Sequence, residues 1–171
     1  MRKVFSVLLL VFAIGILSGC SSPKRFAENH FEAALEFIFV DLDVSSDDVE
    51  IHEVEYFGSI IDFNLDELKS TGMVANVYVS YTVVVYYLNM TIEDEDFEVL
   101  YMYTLAEDED GKTFSEQDFD FGSKAEFDAF VESSDTQLEN DREQGEIDKY
   151  RSSTGSIRSG VANRTLNRVL D

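Results

Sequence analysis

Tyr81-Thr82-Val83-Val84-Val85-Tyr86-Tyr87-Leu88-Asn89-Met90 and, six residues later, Phe97-Glu98-Val99-Leu100-Tyr101-Met102-Tyr103-Thr104-Leu105 decide the fold. β-Branched and aromatic residues dominate both runs, as pleated strands favour. Side chains alternate between the two faces of a strand, yet both faces are apolar over Val83–Leu88 and near the middle of the second run. The first strand is predicted over Met73–Met90 and the second over Phe97–Leu105. The acidic Thr91-Ile92-Glu93-Asp94-Glu95-Asp96 would join them as a hairpin loop, which sets Met90 opposite Phe97 and Tyr86 opposite Tyr101. A hairpin apolar on both sides needs a cover on each. The amino-terminal helix is expected to supply one and carboxy-terminal helices the other.

Working outward, Ser22-Pro23 reads as a helix start, with Ser at the N-cap and Pro at the first position. Phe26, His30, Phe31, Ala34, Leu35 and Ile38 recur at helical spacing and predict a helix to about Val40. His52, Val54 and Tyr56 alternate with Glu53 and Glu55, which suggests a half-buried strand over Ile51–Phe57. A short helical turn is expected around Leu65 and Leu68. Asp110-Gly111 signals another turn, and a third strand follows near Phe114–Phe121. Ser123-Lys124-Ala125-Glu126 is a capping box ahead of Phe127, Phe130 and Val131. Thr136–Lys149 is polar, helical or loose. Ser152–Gly160 looks flexible by composition, and Val161–Leu170 suits a short last helix.

The expected class is α+β: an amino-terminal helix on a curved antiparallel sheet with a long central hairpin, then carboxy-terminal helices. By element order alone this is similar to cystatin-like or nuclear-transport-factor-like domains, an analogy that carries no function. Apolar strand runs are most often core. The alternative for this hairpin is an aromatic pocket or partner surface lined by Tyr86, Leu88, Tyr101 and Met102.

The start of the chain speaks about address. Arg2 and Lys3 precede the apolar run Val4–Leu17, and the small residues Ser18 and Gly19 precede Cys20, the single cysteine. That is the three-part pattern of a secretory signal, too short for a comfortable span. Leu17-Ser18-Gly19-Cys20 resembles the lipobox of bacterial lipoproteins. The resemblance implies a diacylglyceryl group on the Cys20 thiol and cleavage between Gly19 and Cys20. It also implies export and attachment to a membrane through that lipid. Residues 20–25 would then be the lipidated Cys and a short tether. Ser21, in place of the Asp that retains such proteins, implies the inner leaflet of an outer membrane in a diderm cell. Otherwise it implies the outer face of the cell membrane. A lone cysteine also leaves no partner for an internal disulfide.

Charge narrows the partners. Without residues 1–19, 35 Asp+Glu face 11 of the 13 Lys+Arg, a formal charge of −24. Phosphates need a cationic surface, so nucleic acid is excluded as a partner. Solubility by repulsion, a saline habitat, or a cationic or protein partner remain. The charge is uneven: residues 26–148 form the acidic domain, and 149–171 a basic tail with Lys149, Arg151, Arg158, Arg164 and Arg168. Docking of that tail on the acidic body is the expected arrangement, contact with anionic lipid or cell-wall polymer the alternative.

No residue pattern nominates catalysis. His30 and His52 lack a second ligand at zinc spacing. Asp108-Glu109-Asp110-Gly111 departs from an EF-hand loop, which reads as a hairpin turn rather than a calcium site. No nucleophile elbow, phosphate loop or dinucleotide fingerprint occurs, so neither a catalytic residue nor a cofactor is assigned. The leading expectation is a non-enzymatic binding or accessory module. The alternatives are a cation-binding or salt-adapted surface protein and a small enzyme using a sheet cavity.

Overall fold

The computed structural model describes residues 22–72 and 78–170. Cys20, the apolar run before it and the Met73–Val77 part of the first predicted strand lie outside the described residues. The elements are α1 (Pro23–Leu42), a 3-10 turn (Ser46–Asp48), β1 (Val49–Phe63), α2 (Leu65–Ser70), β2 (Tyr78–Ile92) and β3 (Glu95–Asp108). β4 (Thr113–Phe121), α3 (Lys124–Glu143), β5 (Ile147–Ile157) and α4 (Ser159–Leu170) complete them. The five strands form one antiparallel sheet in the order β4-β3-β2-β1-β5. The class is α+β, as the sequence predicts.

The central hairpin has the expected register. Tyr86 faces Tyr101 and Met90 faces Phe97. The loop is shorter than six residues, however. Pairing continues to Ile92 opposite Glu95, and Glu93 and Asp94 turn the chain with φ of 50° and 67°. Two consecutive left-handed residues are the signature of a turn whose twist matches the strands. Lengthening both strands evenly leaves the register unchanged, so it was readable despite the wrong loop length.

β2 is buried on both faces. Val84, Tyr86, Leu88 and Met90 lie beneath α1 with Val54, Tyr56, Val99 and Tyr101. Val85 and Tyr87 lie on the opposite face with Phe57, Phe127, Leu138 and Ile147. The covers differ from expectation in one respect. α4 does not take the second face: Ala162 and Leu166 join the α1 core, so α1 and α4 lie side by side. α3 alone supplies the second cover. Its Ser123 hydroxyl accepts from the Glu126 N–H while Glu126 accepts from the Ser123 N–H at 2.7 Å, the capping box foreseen.

Close approach decides where α1 sits. A Cβ on Gly58 would stand 2.9 Å from the Pro23 carbonyl oxygen, so glycine lets the helix start rest on β1. On Gly155 of β5 a Cβ would stand 2.6 Å from the Tyr56 hydroxyl, so the bare backbone there makes room for that ring. Ser22 caps α1 by accepting from the Arg25 N–H at 3.2 Å. Residues 23–25 are therefore helical rather than tether.

Three further readings are corrected. β1 carries a bulge between Ile51 and Glu53, which breaks the alternation. Ile51 is buried and His52 is exposed, not on the Val54–Tyr56 face. Ser152–Ser156, expected to be flexible, belongs to β5 and pairs with β1 from Val54–Ile157 to Phe63–Ile147. The basic tail is thus an edge strand and a packed helix. Beyond the end of β5, Asn163 of α4 takes over as the neighbour of β1. Its side chain accepts from the Ile51 N–H at 2.9 Å and donates to the Ile51 carbonyl at 2.7 Å. One amide thus satisfies both backbone groups at the bulge.

Three substitutions test this packing in equilibrium urea unfolding. Gly58→Ala is expected to lose about 1–3 kcal/mol, because the methyl meets backbone that cannot step aside without lifting α1. Gly160→Ala, where nothing lies within 4 Å, is expected to be neutral or mildly stabilising. Asn163→Ala is expected to cost about 2 kcal/mol, since it orphans a donor and an acceptor at Ile51.

Candidate functional site

The four hairpin residues proposed as a pocket do not form one. Tyr86, Leu88 and Tyr101 are fully buried beneath α1. Met102 is on the other face and 45% exposed. Adjacent strand positions face opposite ways, so Tyr101 and Met102 could not share a surface.

Beneath α1 lies a polar chain within the aromatic core. The Tyr86 O–H donates to the Ala27 carbonyl of α1. The Tyr101 O–H donates to Gln117 Oε1 at 3.0 Å, and His30 Nε2 lies 3.0 Å from the same Tyr101 oxygen. With Tyr101 donating to Gln117, His30 donates from Nε2. The His30 ring stacks on Phe26 with centroids 5.7 Å apart and sits 4.0 Å from Tyr103. Burial pulls the His30 pKa down to about 4. Burial likewise pushes Tyr86, Tyr101 and Tyr103 up. Every shift favours the neutral form, so at neutral pH the group is a satisfied hydrogen-bond chain rather than a proton donor or base. His30 is the core-edge histidine that its place on the helix face suggests.

His52 stands at the surface, with Nε2 2.7 Å from the Thr91 hydroxyl, which in turn donates to Asp96 at 2.8 Å. Asp108 uses its carboxylate to close its hairpin, accepting from the Asp110 N–H at 3.1 Å and the Lys112 N–H at 2.7 Å. Gly111 supplies the positive φ of 76°. The acidic turn is a turn. Among the described residues no group of three or more His, Cys, Asp or Glu is arranged to hold a metal ion.

A concave site with apolar walls lies on the opposite face, between α3 and the sheet. Phe57, Ile61, Val83, Phe130 and Leu138 line a groove of about 400 Å³. Ser59 contributes the buried hydroxyl on the sheet side, and Ser133, Ser134 and Gln137 come from α3. Apolar walls with a few hydroxyls and an amide suit a small, mostly apolar ligand carrying one or two polar groups. The groove exists because α3 is anchored at its start. Lys124 lies 3.1 Å from Glu55 on β1 and 2.5 Å from Asp128. Its ammonium also sits over the Tyr87 and Phe127 rings, 5.9 and 5.3 Å from their centroids. Beyond Phe127 and Phe130 the helix presents Ser133 and Ser134 to the sheet, and these side chains are too small to close the space opposite Ser59. Sequence reasoning missed this site, because it depends on which sheet face α3 crosses.

No protein-family model, curated protein or solved structure matches this chain. The similarity to cystatin-like and nuclear-transport-factor-like domains therefore remains one of element order. Among the described residues no helix is long and apolar enough to cross a membrane.

Burial of His30 makes stability depend on pH. Its pKa is about 4 in the folded chain against 6.5 when unperturbed. Between those values the unfolded chain holds the proton and the folded chain does not. Stability contributed by the neutral ring is therefore complete above about 6.5 and lost as pH falls toward 4. The expected loss is about 3 kcal/mol. His30→Gln, which keeps a donor for Tyr101, is expected to flatten this part of the stability profile in urea titrations between pH 7 and 4. An unchanged slope would contradict the assignment.

Proposed function

We propose that this chain is an exported bacterial lipoprotein, held by acyl chains on Cys20, whose acidic α+β domain is a non-enzymatic binding module of the cell envelope. What carries the reading is the lipobox-like Leu17-Ser18-Gly19-Cys20 set directly before a folded body. α1 is capped by Ser22, so only Ser21 separates the lipidated residue from the cap. Acyl chains hold a protein stably when two or more are present, each buried methylene adding about 0.8 kcal/mol. By the same reading, Gly19 and Cys20 flank the cleavage point. The location is the inner leaflet of an outer membrane, or the outer face of the cell membrane where there is none. The binding surface favoured is the groove between α3 and the sheet, because it joins apolar walls to the buried Ser59 hydroxyl.

Two measurements test the two halves separately. Cys20→Ala is expected to leave the precursor uncleaved on gels and to abolish incorporation of labelled fatty acid. Normal processing of that variant would sink the lipoprotein assignment. For the groove, N-phenyl-1-naphthylamine is expected to brighten on binding the folded chain. Ser134→Trp should remove the enhancement without changing the thermal midpoint by more than a few degrees. Equal enhancement in that variant would place the dye elsewhere and count against the groove.

A further inference from the structure

Cations are scarce in this chain and collect on one side of the fold. Outside the leader, only Lys69, Lys112, Lys124 and Arg142 lie elsewhere. Lys24 and Arg25 open α1. Lys149 and Arg151 stand on β5, Arg158 joins β5 to α4, and Arg164 and Arg168 project from α4; all are exposed. Tertiary structure brings these three elements together. The Pro23 carbonyl lies over Gly58, and the β5 partner of Gly58 is Ser153. Lys149 and Arg151 therefore share the Ser153 face of β5, just beyond the start of α1. Lys24, Arg158 and Arg168 line a groove of about 640 Å³ between α1, β5 and α4. Lys24 is 3.7 Å from Glu28, Lys149 is 3.3 Å from Asp62, and Arg168 pairs with Glu32. Among the described residues Arg25, Arg151, Arg158 and Arg164 have no carboxylate partner.

We propose that this face, formed by the start of α1 with β5 and α4, is the docking surface for anionic phospholipid headgroups and sets the orientation of the domain on its membrane. The proposal rests on the lipid-anchored reading of Cys20. Two residues from Cys20 to Ser22 reach at most about 7 Å, so the acyl chains enter the bilayer beside the start of α1. That distance lies within a Debye length at physiological salt, where basic side chains are drawn to an anionic leaflet. The carboxylates on β4 and α3 point the rest of a −24 domain away from the headgroups. Acyl chains supply attachment, and the cationic face supplies orientation.

The test uses the full acylated chain in vesicles of phosphatidylcholine alone or with one third phosphatidylglycerol. Asn29→Cys, exposed on α1 in the groove, reports on the basic face and Ser133→Cys on α3, with Cys20 blocked by its lipid. Maleimide labelling at 29 is expected to slow about tenfold on adding phosphatidylglycerol, while labelling at 133 stays unchanged. Molar salt, or Arg151→Glu with Arg158→Glu, should restore the fast rate. Equal rates at 29 in both vesicles would overturn the proposal. If mass spectrometry finds no acyl group on Cys20, the anchored reading fails on its own. The unacylated chain is then sedimented with the same vesicles. Retention by phosphatidylglycerol that the double reversal abolishes upholds the headgroup site, and no retention overturns it.

Discussion

Burial of β2 on both faces is the constraint on which the structure depends. A strand with Val84, Tyr86, Leu88 and Met90 on one side and Val85 and Tyr87 on the other cannot rest at a surface. It must lie inside the sheet and carry a helix on each face. β1 and β3 flank it, and α1 and α3 close the two layers. Removing water from this much aromatic and branched surface is the main favourable term in folding. Polar groups caught in the core are paired: Tyr86 bonds the α1 backbone, and Tyr101 links His30 to Gln117. Among the described residues no buried side-chain nitrogen or oxygen lacks a partner.

The two layers are unequal. The α1 layer gains α4 as a second helix and is packed with rings. The α3 layer has one helix, anchored at its start by Lys124, and its Ser-rich middle leaves the groove over Ser59. A second consequence lies at the edges. Phe119 and Phe121 of β4 donate their N–H groups to the carboxylates of Asp118 and Asp120, at 2.9 and 2.8 Å. Those donors are withdrawn from any incoming strand, which suits an edge that must not pair with other chains. β5 carries basic residues instead, and together with α4 it gives an acidic domain one cationic side.

Much of this was legible where pattern and chemistry coincide. The hairpin register followed from two apolar runs, and the α1 and α3 starts followed from Ser22-Pro23 and Ser123-x-x-Glu126. Less was legible where partners are distant. Arg151-Ser152-Ser153-Thr154-Gly155-Ser156 has no apolar alternation and became a strand because β1 has a free edge for it. His52 left its expected face because a one-residue bulge reverses every side chain after it. The groove was invisible because its lining comes from β1, β2 and α3, which only packing brings together.

The sequence by itself determined the local facts: which runs bury two faces, where helices begin, that the body is acidic, and that a single cysteine precedes it. These depend on neighbours a few residues apart, whose geometry is set by the period of a strand or a helical turn. Tertiary structure alone decided that α4 joins α1, that the polar tail becomes β5, and that the cations of three separate segments meet on one face. Those outcomes depend on which distant surfaces can be brought into contact at least cost, and no local period encodes that choice.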